Sequence, residues 1–240
     1  MTKPIDKTAI RNAATEIALR DRFTAPKVLM GQRGEKAAFM PNKFVFPGGA
    51  LDSVDFDVPL AEGFHPTCAA RLAEGCPRDI SSALGVAAIR ELWEETGLIL
   101  GAKGSWHGDI PDDWKDFAEA GYLPSARPLQ FVFRAITPMG RPRRFDARFF
   151  LVDADEIASD LDDFSGAEDE LSHLQWIPLE EVRSFDLPFI TEVVLAEVAH
   201  RAHATEPPSN VPFFHNGIEE SLFLRLGGRG PLTGKEIADD

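Results

Sequence analysis

Residues 88–98 read Ala88-Ile89-Arg90-Glu91-Leu92-Trp93-Glu94-Glu95-Thr96-Gly97-Leu98. At helical spacing Glu91 and Glu95 stack one turn apart, with Glu94 on the same flank. Three carboxylates crowded this way repel one another unless a cation sits among them. Hard oxygen donors without His or Cys favour Mg²⁺ or Mn²⁺ over zinc. Gly97 suits the residue just past a helix end, where the backbone turns left-handed. The alternative is a solvated Glu-rich helix face, a common feature. The segments upstream weigh against it.

Pro47-Gly48-Gly49 ends a strand at Lys43–Phe46 and is a turn signal that lets the main chain approach a ligand closely. Before it, Ala13–Arg20 reads either as a helix or, from the alternation of Thr15, Ile17 and Leu19, as one arm of a hairpin with Pro26–Arg33. Residues 50–80 change character: Asp52, Asp55 and Asp57, then Pro59, Gly63, Pro66, Gly75 and Pro77, predict an irregular insertion with one short helix near Thr67–Glu74. Ser81 and Ser82 are candidate caps for a helix over 83–96, with Leu84, Ala88 and Leu92 as its apolar stripe. Further on, the pattern predicts a helix at Asp112–Ala120, strands at Leu129–Thr137 and Arg144–Val152, and an acidic loop at Asp153–Glu170. A strand at Leu171–Ile177, a helix start at Pro178–Val182 and a long helix at Pro188–Ala204 follow. The tail carries two short apolar stretches, Val211–Phe214 and Leu222–Leu226, in a Gly/Pro-rich remainder expected to be weakly ordered.

The 240 residues are enough for one large domain, and 44% hydrophobic content fits a globular core. A net charge of −14 argues against DNA and general nucleic-acid affinity, which needs clustered Lys and Arg. It leaves room for a phosphorylated substrate, because a bound divalent ion supplies local positive charge. No apolar run approaches the roughly 20 residues of a membrane span, and the first residues lack a signal-peptide core. Two cysteines are too few for a disulfide scaffold, so a cytoplasmic setting is the simplest expectation.

A strand, Pro-Gly-Gly, and a helix bearing Arg-Glu-Leu-Trp-Glu-Glu-Thr-Gly-Leu together resemble the Nudix box, G-x5-E-x7-R-E-U-x-E-E-x-G-U, with U a bulky apolar residue. Every fixed position of its second half is present: Arg90, Glu91, Leu92, Glu94, Glu95, Gly97 and Leu98. Trp176 to Glu181 after the last strand agrees, and the resemblance covers about residues 12–200. The first half departs. Gly49 and Arg90 are 41 positions apart, about 27 more than the pattern allows, and Ser82 stands where a glutamate is expected eight before Arg90. Leu29 to Arg33, Phe39 to Pro41, Phe44 to Gly49, Asp52 and the insertion resemble the branch that holds the coenzyme A diphosphatases.

The resemblance implies an α/β/α sandwich with a mixed central sheet. The layout would be a single domain over 1–240 with its core at about 12–200, an insertion at about 50–81 and a C-terminal extension at about 205–240. It implies Mg²⁺- or Mn²⁺-dependent hydrolysis of a nucleoside diphosphate linked to another group, with coenzyme A or acyl-CoA favoured. ADP-ribose, nucleotide sugars and dinucleoside polyphosphates are alternatives, and a nucleotide-sensing domain without catalysis is the non-enzyme reading. Capped RNA is disfavoured by charge. The partner is a small molecule, and a homodimer is left open.

Glu91, Glu94 and Glu95 would hold metal, joined by the Gly48 carbonyl, with Glu91 alternatively orienting water. Arg90 reads as a structural ion pair holding a glutamate or as a phosphate contact, the first being favoured. Of Glu168, Asp169 and Glu170, the last, six before Trp176, is the expected further acid. Arg33 and, within the group Arg141, Arg143, Arg144 and Arg148, chiefly Arg148 are candidate phosphate contacts. His65, Cys68 and Cys76 invite a zinc reading but lack a fourth ligand at usual spacing. Trp93 and Trp176 are expected to pack, and the insertion to wall the leaving-group pocket.

Overall fold

The computed structural model describes residues 9–37, 39–76, 79–217 and 221–227. Most of the tail remainder, 228–240, lies outside them.

Strand β1 (Ile10–Arg20) is the backbone of the molecule. Its alternation favours strand over helix, and it pairs in parallel with β8 (Arg144–Asp153) from Ile10↔Arg144 to Leu19↔Asp153. β7 (Gln130–Ile136) pairs antiparallel with β8. On the other side β1 splays. Leu19 and Arg20 continue into the hairpin with β2 (Lys27–Arg33), whereas Ala13–Thr15 pair with β4 (Gly48–Ala50). The Pro-Gly-Gly segment is therefore half turn and half strand, an edge pairing the turn signal conceals. β3 (Phe44–Val45) and β9 (Leu171–Pro178) both pair antiparallel with β2. β10 (Val211–Asn216) lies parallel to β7, and β11 (Ser221–Leu226) closes that edge. The sheet is mixed, and its main path runs β11-β10-β7-β8-β1-β2-β3.

Successive residues of β8 feed opposite cores, as the period of two requires. Phe150 and Val152 join the layer beneath α2 (Ser81–Thr96), while Phe149 and Leu151 join the layer beneath α4 (Phe189–Arg201). This is the α/β/α sandwich the sequence implied. The stripe Leu84, Ala88 and Leu92 of α2 is fully buried, and Gly97 ends the helix at φ 74°. The expected serine caps are not caps. Ser81 and Ser82 lie inside the first turn, Ile80 is at the cap position, and Asp79 accepts from the Ser81 N–H.

The insertion folds back onto the α2 side of the sheet. α1 (Pro66–Ala73) forms where the short helix was expected, with the His65 ring capping Thr67. Val58, Cys68 and Leu72 enter the core, and Phe64 stacks on Phe150 at 5.2 Å between ring centres. Gly101–Lys103 (β5) and Tyr122–Pro124 (β6) form a separate small ribbon flanking α3 (Lys115–Glu119), which packs Phe117 edge-on against Trp93. The helix expected at Pro178–Val182 does not form: Pro178 ends β9, and only a short 3₁₀ turn, Val182–Ser184, follows. The tail stretches became β10 and β11, since a hairpin finds its pairing partner only in three dimensions.

Candidate active site on the acidic helix

β4 lies alongside the carboxylate flank of α2. The Gly48 N–H donates to Glu95 Oε2 at 2.8 Å. A Cβ placed on Gly49 would stand 2.2 Å from Glu91 Oε1. The two glycines are thus required by close approach: a Cβ on the first would strike Ala14 and Thr15 of β1, and the second leaves room for Glu91.

Arg90 sits at the centre of the acids, 5% exposed. Its Nη1 donates to Glu91 Oε1 and Glu94 Oε2, each at 2.9 Å. Its Nε and Nη2 donate to Asp55 at 2.9 and 3.2 Å, and Nη2 also reaches the Ala50 carbonyl at 3.1 Å. Burial lowers its affinity for a proton, but Asp55, Glu91 and Glu94 outweigh this and raise it. Every guanidinium N–H of Arg90 is thus directed at a carboxylate or at the Ala50 carbonyl. Asp55, which the sequence pattern marks only as part of the insertion, belongs to this cluster. It stands six positions after Gly49, where the G-x5-E half of the box places its acid. Counting back from Arg90 led to Ser82, because the extra residues fall between Asp55 and α2. Asp55 also accepts from the Asp52 N–H at 2.8 Å, so the turn Ser53–Phe56 holds its carboxylate in place.

Burial pushes the Glu91 carboxyl up to about 7, against the pull of Arg90 and with the push of Glu94. Burial and then Glu91 raise Glu95 well above the usual carboxylate range, and burial raises Glu94 more moderately. Glu170 adds its charge to both Glu91 and Glu95, while Glu168 and Asp113 add theirs to Glu94. The two loop acids therefore divide the helix between them, with the Glu168 N–H bonded to the Glu94 carbonyl at 2.7 Å. Asp169 between them is exposed. Arg33 pairs with Glu170 at 2.7 Å and eases the charge on Glu95.

Among the described residues no three His, Cys, Asp or Glu side chains are already gathered in ligating geometry. Arg90 holds Glu91 and Glu94, and Gly48 holds one oxygen of Glu95. The donor set nonetheless fits a divalent cation. Glu95 Oε1 is buried with no hydrogen-bond partner, and every side-chain donor is a hard oxygen crowded by like charge.

Other predicted residues lie elsewhere. Arg148 is 1% exposed and committed to Asn12, Asp146 and Cys76, so it is unavailable to a phosphate. Arg144 is buried against Thr137 and Asn216, and Arg141 and Arg143 are exposed in the turn. His65, Cys68 and Cys76 are engaged separately, with Thr67, Phe131 and Arg148, rather than converging on one point. Trp93 and Trp176 pack, against Phe117 and beneath Arg20.

The NUDIX domain model matches residues 78–198. A Caenorhabditis elegans protein carrying the name nudix hydrolase 7 is 33% identical over 171 residues, covering 66% of this chain and 48% of that protein. The acyl-coenzyme A diphosphatase NUDT19 of Gallus gallus is 26% identical over 179 residues, covering 52% of this chain and 47% of that protein. The chain thus spans about half the length of the curated relatives it matches. The crystal structure of a NUDIX hydrolase from Alicyclobacillus acidocaldarius superposes with a TM-score of 0.58 at 27% identity, over 82% of this chain and 94% of that one. The sandwich, the acids that Arg90 gathers on α2 and the family model over half the chain converge: the chain belongs to the NUDIX domain family.

Proposed function

We propose that this chain is a divalent-metal-dependent pyrophosphohydrolase acting on a nucleoside diphosphate derivative, with coenzyme A or an acyl-CoA as the favoured substrate. The observation that carries the reading is the set of α2 carboxylates held against Gly48 and Gly49, one oxygen of Glu95 left buried and unpartnered. Glu91, Glu94, Glu95 and the Gly48 carbonyl would hold Mg²⁺ or Mn²⁺. When bound, such an ion screens the diphosphate charge and lowers the pKa of water. Arg90 positions Glu91 and Glu94 and has no donor left for a phosphate. Arg33 is the cation best placed to meet a phosphate, because its Nε is buried without a partner and its ion pair with Glu170 stands beside Glu95. Glu170 is the candidate to take a proton from the attacking water, since it is the most exposed acid acting on Glu91 and Glu95. The preference for coenzyme A rests on the Gallus gallus relative and on the resemblance of Leu29 to Arg33, Phe39 to Pro41, Phe44 to Gly49, Asp52 and the insertion to the coenzyme A diphosphatase branch.

The test is a panel of coenzyme A, ADP-ribose, a nucleotide sugar and a dinucleoside polyphosphate, each with Mg²⁺ or Mn²⁺ and with products separated. Release of 3′,5′-ADP and phosphopantetheine from coenzyme A is expected, and turnover of another compound alone would redirect the substrate. Glu94→Gln and Glu95→Gln should each lower turnover by orders of magnitude with the fold retained. A fully active double variant would remove the mechanism.

A further inference from the structure

The segment from Ala154 to Glu170 runs between β8 and β9 as a strap rich in Asp and Glu. It brings Glu168 and Glu170 to α2. Ala154 and Ile157 anchor its start in the core, Leu161 and Phe164 pack half-buried against that core, and a series of hydrogen bonds fixes the path between and beyond them. At its start, Ala158 donates to the Ile99 carbonyl at 2.8 Å, and Ser159 Oγ accepts from the Ile99 N–H at 3.0 Å. At its end, the Glu168 N–H satisfies a carbonyl that the last turn of α2 leaves open, that of Glu94. A Cβ on Gly97 would stand 3.1 Å from Gly166 Cα, so the strap lies directly on the helix terminus.

The middle of the strap is held by two residues that touch none of the acids. The Trp176 indole N–H donates to the Leu161 carbonyl at 2.8 Å. Arg20 grips Asp162 with two bonds of 2.6 and 3.2 Å, and its guanidinium lies over the Trp176 ring, 5.6 Å from the ring centre. An ion pair as exposed as Arg20–Asp162 contributes little alone. Stacking on an indole that is itself fixed in β9, opposite Leu29 of β2, turns it into part of a rigid grip. Trp176 also lies on the strand that begins one residue after Glu170, so it fixes the strap from the same strand that fixes the strap's end.

We propose that Trp176 and Arg20 are positioning residues: a latch that holds the strap so that Glu168 and Glu170 stay beside the acids of α2. This rests on the metal reading of that site. The full chain can test it with Mn²⁺ alone as probe. Trp176→Phe keeps an aromatic ring but removes the indole donor along with the volume of its second ring, and Arg20→Gln removes the ion pair from the surface without opening the core. Each is expected to speed amide exchange across residues 158–170 by about tenfold, the loss of about one hydrogen bond. Each should also weaken Mn²⁺ affinity severalfold, measured by electron paramagnetic resonance, while Arg20→Lys restores most of it. Exchange that accelerates with Mn²⁺ affinity unchanged would overturn the positioning role, as would exchange that does not change. If Glu95→Gln keeps wild-type Mn²⁺ affinity, the metal reading itself falls, and the latch falls with it.

Discussion

Arg90 and Asp55 are joined by two hydrogen bonds in a setting where Asp55 is 1% exposed, so removing one partner strands the other. Breaking a buried pair from one side costs about 3–5 kcal/mol. Asp55→Ala is expected to lose that much in urea denaturation. Turnover should fall as well, because Arg90 would no longer hold Glu91 and Glu94. Glu16 presents the opposite case. It is fully buried in β1, neither oxygen has a hydrogen-bond partner, and burial raises its carboxyl well above the usual range. A carboxyl whose folded-state pKa exceeds its unfolded one stabilises the fold below the unfolded pKa and loses that contribution as pH rises through the folded value. Melting temperature should therefore decline from mildly acidic to alkaline pH, and Glu16→Gln should flatten the decline. Glu16→Leu should melt higher at pH 8, since an unpaired buried polar group costs about 1–3 kcal/mol. A decline of equal slope in Glu16→Gln would assign it to other groups.

The two glycines of β4 look alike in sequence and differ in what surrounds them. A Cβ on Gly48 would meet backbone, the Ala14 carbonyl at 2.6 Å and Thr15 Cα at 2.7 Å. On Gly49 the three nearest atoms would all belong to the Glu91 carboxylate. Gly48→Ala is thus expected to destabilise the sheet edge, visible as a lower melting temperature. Gly49→Ala should melt near the wild type and lose turnover by about 100-fold, the scale on which a displacement of about 1 Å acts. The contrast also marks what the sequence could reveal. The helix, its buried stripe and its terminal glycine were legible because periodicity and one dense motif encode them locally, and the sandwich was legible only through the family that motif resembles. β4 and β10 were not, since they take hydrogen bonds from the distant strands β1 and β7, and β11 joins the sheet only through β10. Asp55 was legible in principle, six residues from Gly49. Arg148 looked like a phosphate contact because a strand pattern does not reveal which basic side chain is buried, and Glu168 looked like one more solvated acid.

Across the molecule, the insertion and the C-terminal hairpin hold each other. The Glu74 and Gly75 carbonyls accept from Arg134 of β7, Glu74 accepts from the Gly227 N–H past β11, and Cys76 accepts from Arg148. Arg134 in turn lies 4.4 Å from the ring centre of Phe213 in β10. Most of the insertion therefore covers sheet, and only its start, around Asp55, borders the acids. Deleting it to probe substrate preference would open the core instead. Leu72→Ala alone should cost about 2–5 kcal/mol by urea denaturation with little change in substrate preference. Arg90 has a wider consequence. Its single positive charge, shared among Asp55, Glu91 and Glu94, offsets part of their repulsion from within, so it serves as a built-in counterion, and the fold is expected to hold without metal. Chelation should abolish the proposed hydrolysis while folding stability falls only by what ligand release accounts for, about 2.7 kcal/mol at a hundredfold excess over Kd. Activity would then follow the free-ion level reversibly, as a dial turned by the surrounding divalent pool.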